Sequence, residues 1–308
     1  MNAAIRAVVR IAHFNDIEVC GIRRGYQGMI DNDIIELDTR DVSGLINRGG
    51  TILHTARCEA FFEAPSRAQA AANLKEHEID GIVVIGGDGS YRGALALHEE
   101  HGVRCIGLPG TIDNDIGGTD YTIGFDTALN TAVEAIDRLR DTADSHDRIF
   151  FVEVMGRHSG YIAMTSGIAG GTEDIMTPEE PTNIGSLIAT LDYCRRNQKA
   201  SIIIVVAEGD DAGNALEIAR QVSEKSEYKD TRVTVVGHLQ RGGAPSARDR
   251  ILASCMGARA VHALMAGETG KMVGIRGKEL VLNPLAMAWE ERTEYDPKLL
   301  FLARSLSV

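Results

Sequence analysis

Two glycine-rich turns place carboxylates where they could do chemistry. They are Gly86-Gly87-Asp88-Gly89-Ser90 and, roughly twenty residues on, Pro109-Gly110-Thr111-Ile112-Asp113-Asn114-Asp115. Glycines let a backbone approach a phosphate, and carboxylates hold Mg²⁺ or accept a proton, which is what phosphoryl transfer needs in one place. In an extended segment residues two apart point the same way, so Asp113 and Asp115 are expected to share a cavity, one as base and one near a metal. Each turn follows an apolar run, Gly81–Ile85 and Val103–Leu108, that reads as a buried parallel strand. Ligands bind at the carboxyl ends of such strands, so the two turns should build one site. A strand-to-helix connection also favours glycine and a capping Ser or Asp, so the first turn alone is compatible with a purely structural role.

Further strand ends carry residues of the same kind. Met155-Gly156-Arg157 follows Ile149–Val154, and Glu208 follows Ser201–Ala207 as a candidate hydroxyl acceptor. Gly237-His238-Leu239-Gln240-Arg241-Gly242-Gly243 closes the run Arg232–Val236 and has the make-up of a phosphate or sugar clamp, or of an exposed loop with a satisfied histidine.

The elements that must position these residues alternate along the chain. Helical patterns cover Asn2–His13, Ser66–Glu78, Tyr91–His101, Asp126–Asp141, Tyr161–Ala169, Ile184–Arg196, Asn214–Glu224 and Ala247–Ala266, with a turn of helix near Val42–Asn47. Further strands are expected at Ile17–Ile22, Ile34–Leu37 and Met272–Ile275. This is the doubly wound α/β pattern of parallel sheets. The 308 residues suffice for two domains.

Composition narrows the function classes. A net charge of −12 with interspersed signs argues against a nucleic-acid or membrane surface. No apolar run reaches the ~18 residues of a membrane span, and no secretory leader opens the sequence. Cys20, Cys58, Cys105, Cys194 and Cys255 are odd in number and lack CxxC spacing, which fits a reducing cytoplasm and no structural zinc.

Taken together, Gly-Gly-Asp-Gly-Ser, Pro-Gly-Thr-Ile-Asp-Asn-Asp, Val-Glu-Val-Met-Gly-Arg and Gly-His-Leu-Gln-Arg-Gly-Gly resemble the signatures of the bacterial ATP-dependent 6-phosphofructokinases, in family order. The first turn alone is shared with lipid and NAD kinases. The resemblance implies two Rossmann-like doubly wound domains, with residues 1–124 plus 240–290 binding ATP and 125–239 plus 291–308 binding fructose 6-phosphate. It implies Asp113 as the base for the sugar 1-hydroxyl, Thr111 and Arg157 on the transferring phosphoryl, and Asp88 at a Mg²⁺ site. Arg57, Cys58, Gly89 and Ser90 would line the ATP pocket, with Tyr26 at its edge. Asp115, Met155, Gly156, Glu208, His238 and Arg241 would surround fructose 6-phosphate, joined by Arg148 and Arg232 from a neighbouring subunit, as in a homotetramer. Arg6, Arg10, Arg140, Glu173 and Lys199 match positions for an ADP, GDP or phosphoenolpyruvate effector. Thr39, Asn197 and Ala200 stand where that effector site usually has cations, which points to altered regulation. Pyrophosphate-using relatives carry Asp in place of Gly89 and Lys in place of Gly110, so ATP is the expected donor.

The sequence departs from the family at one place. An apolar strand and a Gly-Gly-Asp-x-x-Gly loop normally precede Met-Asn-Ala-Ala-Ile-Arg. The expectation is a start assigned at an internal methionine, the alternative a truncated, catalytically weak sugar-phosphate binder or regulatory relative. Without that strand, neighbouring strand edges and apolar faces should lie open.

Overall fold

Small side chains set the first packing contact. Helix α1 (Asn2–Phe14) buries Ala3, Ala4 and Ala7, and the short strands β1 (Cys20–Ile22) and β2 (Ile34–Glu36) pair antiparallel on either side of α2 (Tyr26–Ile30). Residues 1–143, 148–199, 201–291 and 297–306 are described in this computed structural model. Next come α3 (Ala64–Glu76), β3 (Ile82–Gly86), α4 (Asp88–His101), β4 (Cys105–Pro109) and α5 (Phe125–Ala143). The chain continues through β5 (Ile149–Val154), α6 (Tyr161–Gly170), β6 (Asp174–Met176), α7 (Ile184–Arg196), β7 (Ile202–Ala207), α8 (Ala215–Lys225) and β8 (Thr231–Val235). It ends with α9 (Ala247–Met265), β9 (Lys271–Arg276), β10 (Glu279–Pro284), α10 (Met287–Glu290) and α11 (Pro297–Leu306).

Two units result. The first comprises 1–111, 116–124 and 243–292, the second 112–115, 125–242 and 293–308. In the first unit a sheet runs in the order β10-β9-β4-β3, with β3, β4 and β9 parallel and β10 antiparallel. The antiparallel strand departs from an all-parallel expectation, because β9 and β10 are joined by a tight turn at Gly277 with φ +62°. Helix α1 lies against α9 closely enough that a Cβ on Gly257 would stand 2.8 Å from that of Ala7. The second unit holds an all-parallel sheet, β6-β7-β5-β8, with its central strands buried throughout β7 and nearly throughout β5. Its core brings Phe151, Leu187, Leu191, Ile204 and Val222 together.

Strand β4 is buried over its whole length, as its composition predicts, whereas β3 is only half-buried at Val83, Val84 and Ile85. Among the described residues β3 pairs only with β4. Its outer edge borders a cavity of about 820 Å³ within the first unit, lined by Ile5, Val9 and Ala12 of α1, Val83 and Ile85 of β3, and Leu264 of α9. The expectation of a fully buried strand therefore fails for β3: both of its faces pack on core residues, but no described strand pairs with its outer edge. The region Val42–Asn47 forms turns rather than helix.

Candidate active site

Parallel pairing of β3 with β4 sets Gly86 opposite Pro109, so both glycine turns leave the same end of the first unit's sheet. The Gly110 amide donates to the Gly86 carbonyl at 3.0 Å, clasping one turn to the other. A Cβ on Gly87 would come within 4.0 Å of the Thr111 Cβ. Helix α4 starts at Asp88, three residues earlier than its apolar pattern indicates, so Asp88, Gly89 and Ser90 form its first turn. Their position at the amino end of a 14-residue helix suits an anion, and Asp88 is half-buried there. Close approach favours glycine at Gly86, since a Cβ would stand 2.7 Å from Ser90 Cβ, an atom that no side-chain rotation moves.

Tyr26, expected at a pocket edge, is held by packing. Its ring stacks on Phe61 at 4.0 Å, its hydroxyl donates to the Ser90 carbonyl, and burial pushes its pKa far above the usual tyrosine range. Cys58 is half-buried and precedes the 3-10 turn Glu59–Phe62, and Arg57 is exposed.

The segment after Thr111 belongs to the second unit. Asp113 and Asn114 are buried and Asp115 is half-buried. Asn114 adopts φ +51°, so the segment is kinked and the alternation expected of an extended run does not hold across Asp113 and Asp115. Asparagine enters this region more readily than other side chains because its short amide bonds locally.

Three strand ends in the second unit meet by way of backbone contacts. Glu208 N–H donates to the Val154 carbonyl and Val236 N–H to the Glu153 carbonyl, each at 3.0 Å. The Arg157 amide donates to Glu208 Oε1 at 2.8 Å, with Arg157 itself at φ +57°. Gly209 presses so close to the Arg157 carbonyl oxygen that a Cβ would stand 2.0 Å from it. From the other side, Gln240 Oε1 accepts the Met155 amide at 2.8 Å. Met155 and Gly156 are buried, while Arg157, Glu208, His238 and Arg241 are exposed around them. Gln240, Gly209 and Ser159, whose amide bonds the Gly156 carbonyl, are parts of this assembly that motif reading did not single out. Gln240 gave no local signal in the sequence, since its burial, alone among the side chains of the turn Gly237–Arg241, is a fact of the fold.

Arg148 and Arg232 share one carboxylate. Asp230 lies 3.7 Å from Arg148 Nε and 2.7 Å from Arg232 Nη1. Of the expected effector residues, Arg140, Glu173 and Lys199 cluster in the second unit, each cation 3.8 Å from Glu173 Oε1. Arg140 also donates to the Gly170 and Gly171 carbonyls, both at 2.7 Å. Burial raises the Glu173 pKa, against the Ile203 amide and the two cations. Arg6 and Arg10 lie on α1 in the first unit, half-buried and exposed. Thr39 sits in a turn, Asn197 ends α7, and Ala200 lies outside the described residues.

Among the described residues no cluster of three His, Cys, Asp or Glu side chains has the make-up of a metal cage. A single carboxylate such as Asp88 still fits Mg²⁺, which is commonly held by one or two carboxylates and the substrate's own phosphates. No helix is long and apolar enough to cross a membrane among the described residues.

The model of the phosphofructokinase family matches residues 1–264. The ATP-dependent 6-phosphofructokinase 1 of Thermus thermophilus is 54% identical over all 308 residues, which span 95% of that protein. A Bacillus cereus ATP-dependent 6-phosphofructokinase is 52% identical over the same span. Among solved structures, a Pichia pastoris phosphofructokinase superposes with a TM-score of 0.86 at 37% identity over 94% of this chain, which spans only 34% of that longer protein. A pyrophosphate-dependent phosphofructokinase from Marinobacter aquaeolei gives a TM-score of 0.85 at 25% identity, over 96% of this chain and 82% of its own.

Proposed function

From the premise that this chain belongs to the phosphofructokinase family, we propose that it transfers the γ-phosphoryl of ATP to the 1-hydroxyl of fructose 6-phosphate. The observation that carries this reading is identity above one half, over the full chain, to relatives named for that activity. The strand-end loops supply groups of the right chemistry. Asp113 would take the hydroxyl proton as the oxygen attacks, and Thr111 and Arg157 would stabilise charge on the transferring group. Glu208, His238 and Arg241 would hold the sugar phosphate, with Met155 and Gly156 forming the buried floor beneath it. Asp88 would hold Mg²⁺ together with the nucleotide phosphates, and the ion would neutralise phosphate charge when bound.

Donor choice rests on Gly89. A Cβ there would meet nothing within 4 Å, so the glycine keeps space open beside the first turn of α4. Gly110 carries less weight, because a Cβ would already stand 3.0 Å from Ile85 Cγ2 and local packing alone favours glycine. Cytoplasmic location, a homotetramer with Arg148 and Arg232 serving a neighbour's site, and control through the Glu173 cluster complete the proposal.

The test is sugar-dependent ADP release by the wild-type chain and by Asp113→Asn. Turnover should require ATP rather than pyrophosphate, and the variant should lose about 10²–10⁴-fold in kcat with substrate KM values little changed. Absence of fructose 6-phosphate-dependent turnover refutes the function. Equal losses in binding and turnover refute the base.

A further inference from the structure

We propose that Gln240 is a positioning residue for the sugar-phosphate loops, joining the Met155–Arg157 loop to the His238–Arg241 turn through its side-chain amide. The proposal rests on the function assigned above and deepens it. Strands β5 and β8 pair in parallel from Ile149–Thr231 to Glu153–Val235, and the Val236 amide adds a last bond to the Glu153 carbonyl. There the ladder ends, while the chain of β5 runs on into buried Met155 and Gly156. A buried amide needs an acceptor, and the Met155 N–H finds Gln240 Oε1 at 2.8 Å. The glutamine thus supplies a further rung from the side chain of a turn whose backbone has already curled away from the sheet.

The rest of that turn faces outward. His238 and Arg241 are exposed and Leu239 is 72% exposed, whereas Gln240 is 1% exposed. Its Nε2 is buried without a hydrogen-bond partner among the described residues. A side chain retained for packing alone would be better apolar, so the acceptor oxygen is the feature that matters. The loop it holds is fixed on its other flank by Glu208, through the Arg157 amide, and by the close approach of Gly209. Removing the glutamine frees one flank only. The expected effect is on the relative placement of Arg157, His238 and Arg241, and not on the fold as a whole. Displacements of about 1 Å at such groups are enough to cost much of an enzyme's rate.

The experiment compares Gln240→Leu with Gln240→Glu, which keeps an oxygen to accept the Met155 amide. Both are assayed for the separate KM values of fructose 6-phosphate and ATP, for kcat, and for hydrogen exchange at the Met155 amide. Gln240→Leu should raise the fructose 6-phosphate KM on the order of 10-fold, leave the ATP KM within about 2-fold, and speed Met155 exchange. Gln240→Glu should recover most of the sugar KM and of the amide protection at the acid end of the assay range, where the buried carboxyl is neutral and leaves no unpaired charge beside the unpartnered Nε2 position. If the leucine variant does not fold, Gln240→Asn, one methylene too short to reach Met155, should show the same KM split. Unchanged sugar KM and kcat, equal shifts in both substrates, or no recovery with glutamate at the acid end of the assay range each overturn the proposal. A wild-type protein without fructose 6-phosphate turnover sinks the functional reading instead, and unaltered Met155 exchange in the leucine variant then overturns the clamp itself.

Discussion

Gly209→Ala tests the strand-end assembly most directly, because the added atom meets backbone. The new Cβ would stand 2.0 Å from the Arg157 carbonyl oxygen. An ordinary contact between carbon and such an oxygen is about 3.3 Å, so the two chains must part by about 1.3 Å. Arg157 has little freedom to yield, at φ +57° and with its amide on Glu208 Oε1 at 2.8 Å. Overpacking of this kind costs about 1–3 kcal/mol, which lowers Tm by several degrees in a unit of this size. The larger effect should be catalytic, because a shift of about 1 Å in a group acting on the transition state costs about 10²-fold in rate. A control separates the two effects. Gly102 caps α4 at φ +71° with nothing within 4 Å of its added Cβ, so Gly102→Ala carries only the left-handed penalty of about 1–2 kcal/mol. Thermal melts and steady-state turnover of both variants give the answer. Similar melting shifts with a large kcat loss in Gly209→Ala alone are expected. Wild-type kcat in Gly209→Ala, or an equal loss in Gly102→Ala, would refute the reasoning.

Two further expectations concern parts of the molecule away from those loops. In β3 the Ile82 amide donates to Arg104 on the β4 side, so by alternation the Val83 and Ile85 amides face the open edge. Hydrogen exchange should therefore be much faster at Val83 and Ile85 than at Ile82 and Val84, and equal protection would mean that the edge is covered in solution. Glu173 gives a pH dependence. Its folded pKa lies above the usual glutamate value of 4.5 because burial outweighs the Ile203 amide and the two cations. Its favourable contribution is complete below that usual value and is lost as pH rises through the raised folded pKa. Glu173→Gln keeps an oxygen for the Ile203 amide and removes the titration, so wild-type stability should fall relative to the variant as pH rises from about 4.5 toward neutrality. Denaturant melts that show a constant or growing wild-type advantage across that range would contradict the sign.

The sequence is most legible where one requirement dominates. Strand β5 and helix α7 begin and end where the apolar pattern places them, the helix because Asn183 accepts the Ser186 amide and fixes its start. Strand β6 escapes notice because three residues, Asp174–Met176, carry too little periodicity, and its pairing with β7 is a tertiary fact. Strand β10 is missed for a related reason. Glu279 and Asn283 break its apolar run, and its antiparallel pairing follows from the turn at Gly277 rather than from the βα alternation before it. The kink at Asn114 is equally local, and a spacing rule for extended chain cannot foresee it.

Polar side chains at strand ends stand out because they interrupt apolar runs, and this made Asp88, Asp113, Arg157, Glu208 and His238 visible as candidates. What holds their loops in place is written differently. Gln240 and Met155 are 85 residues apart, and the Arg157 amide and Glu208 are 51 apart. Neither pairing leaves a local spacing pattern, because each depends on which strands the sheet sets side by side. The order β7-β5-β8 brings the three loops together, and backbone amides left over at the strand ends then find side-chain oxygens. Chemistry-bearing residues can thus be named one at a time from their own surroundings in the sequence. Their supporting partners emerge only with the strand order, which is why Gln240 and Gly209 are the positions where substitution should separate acceptor alignment from nucleotide binding.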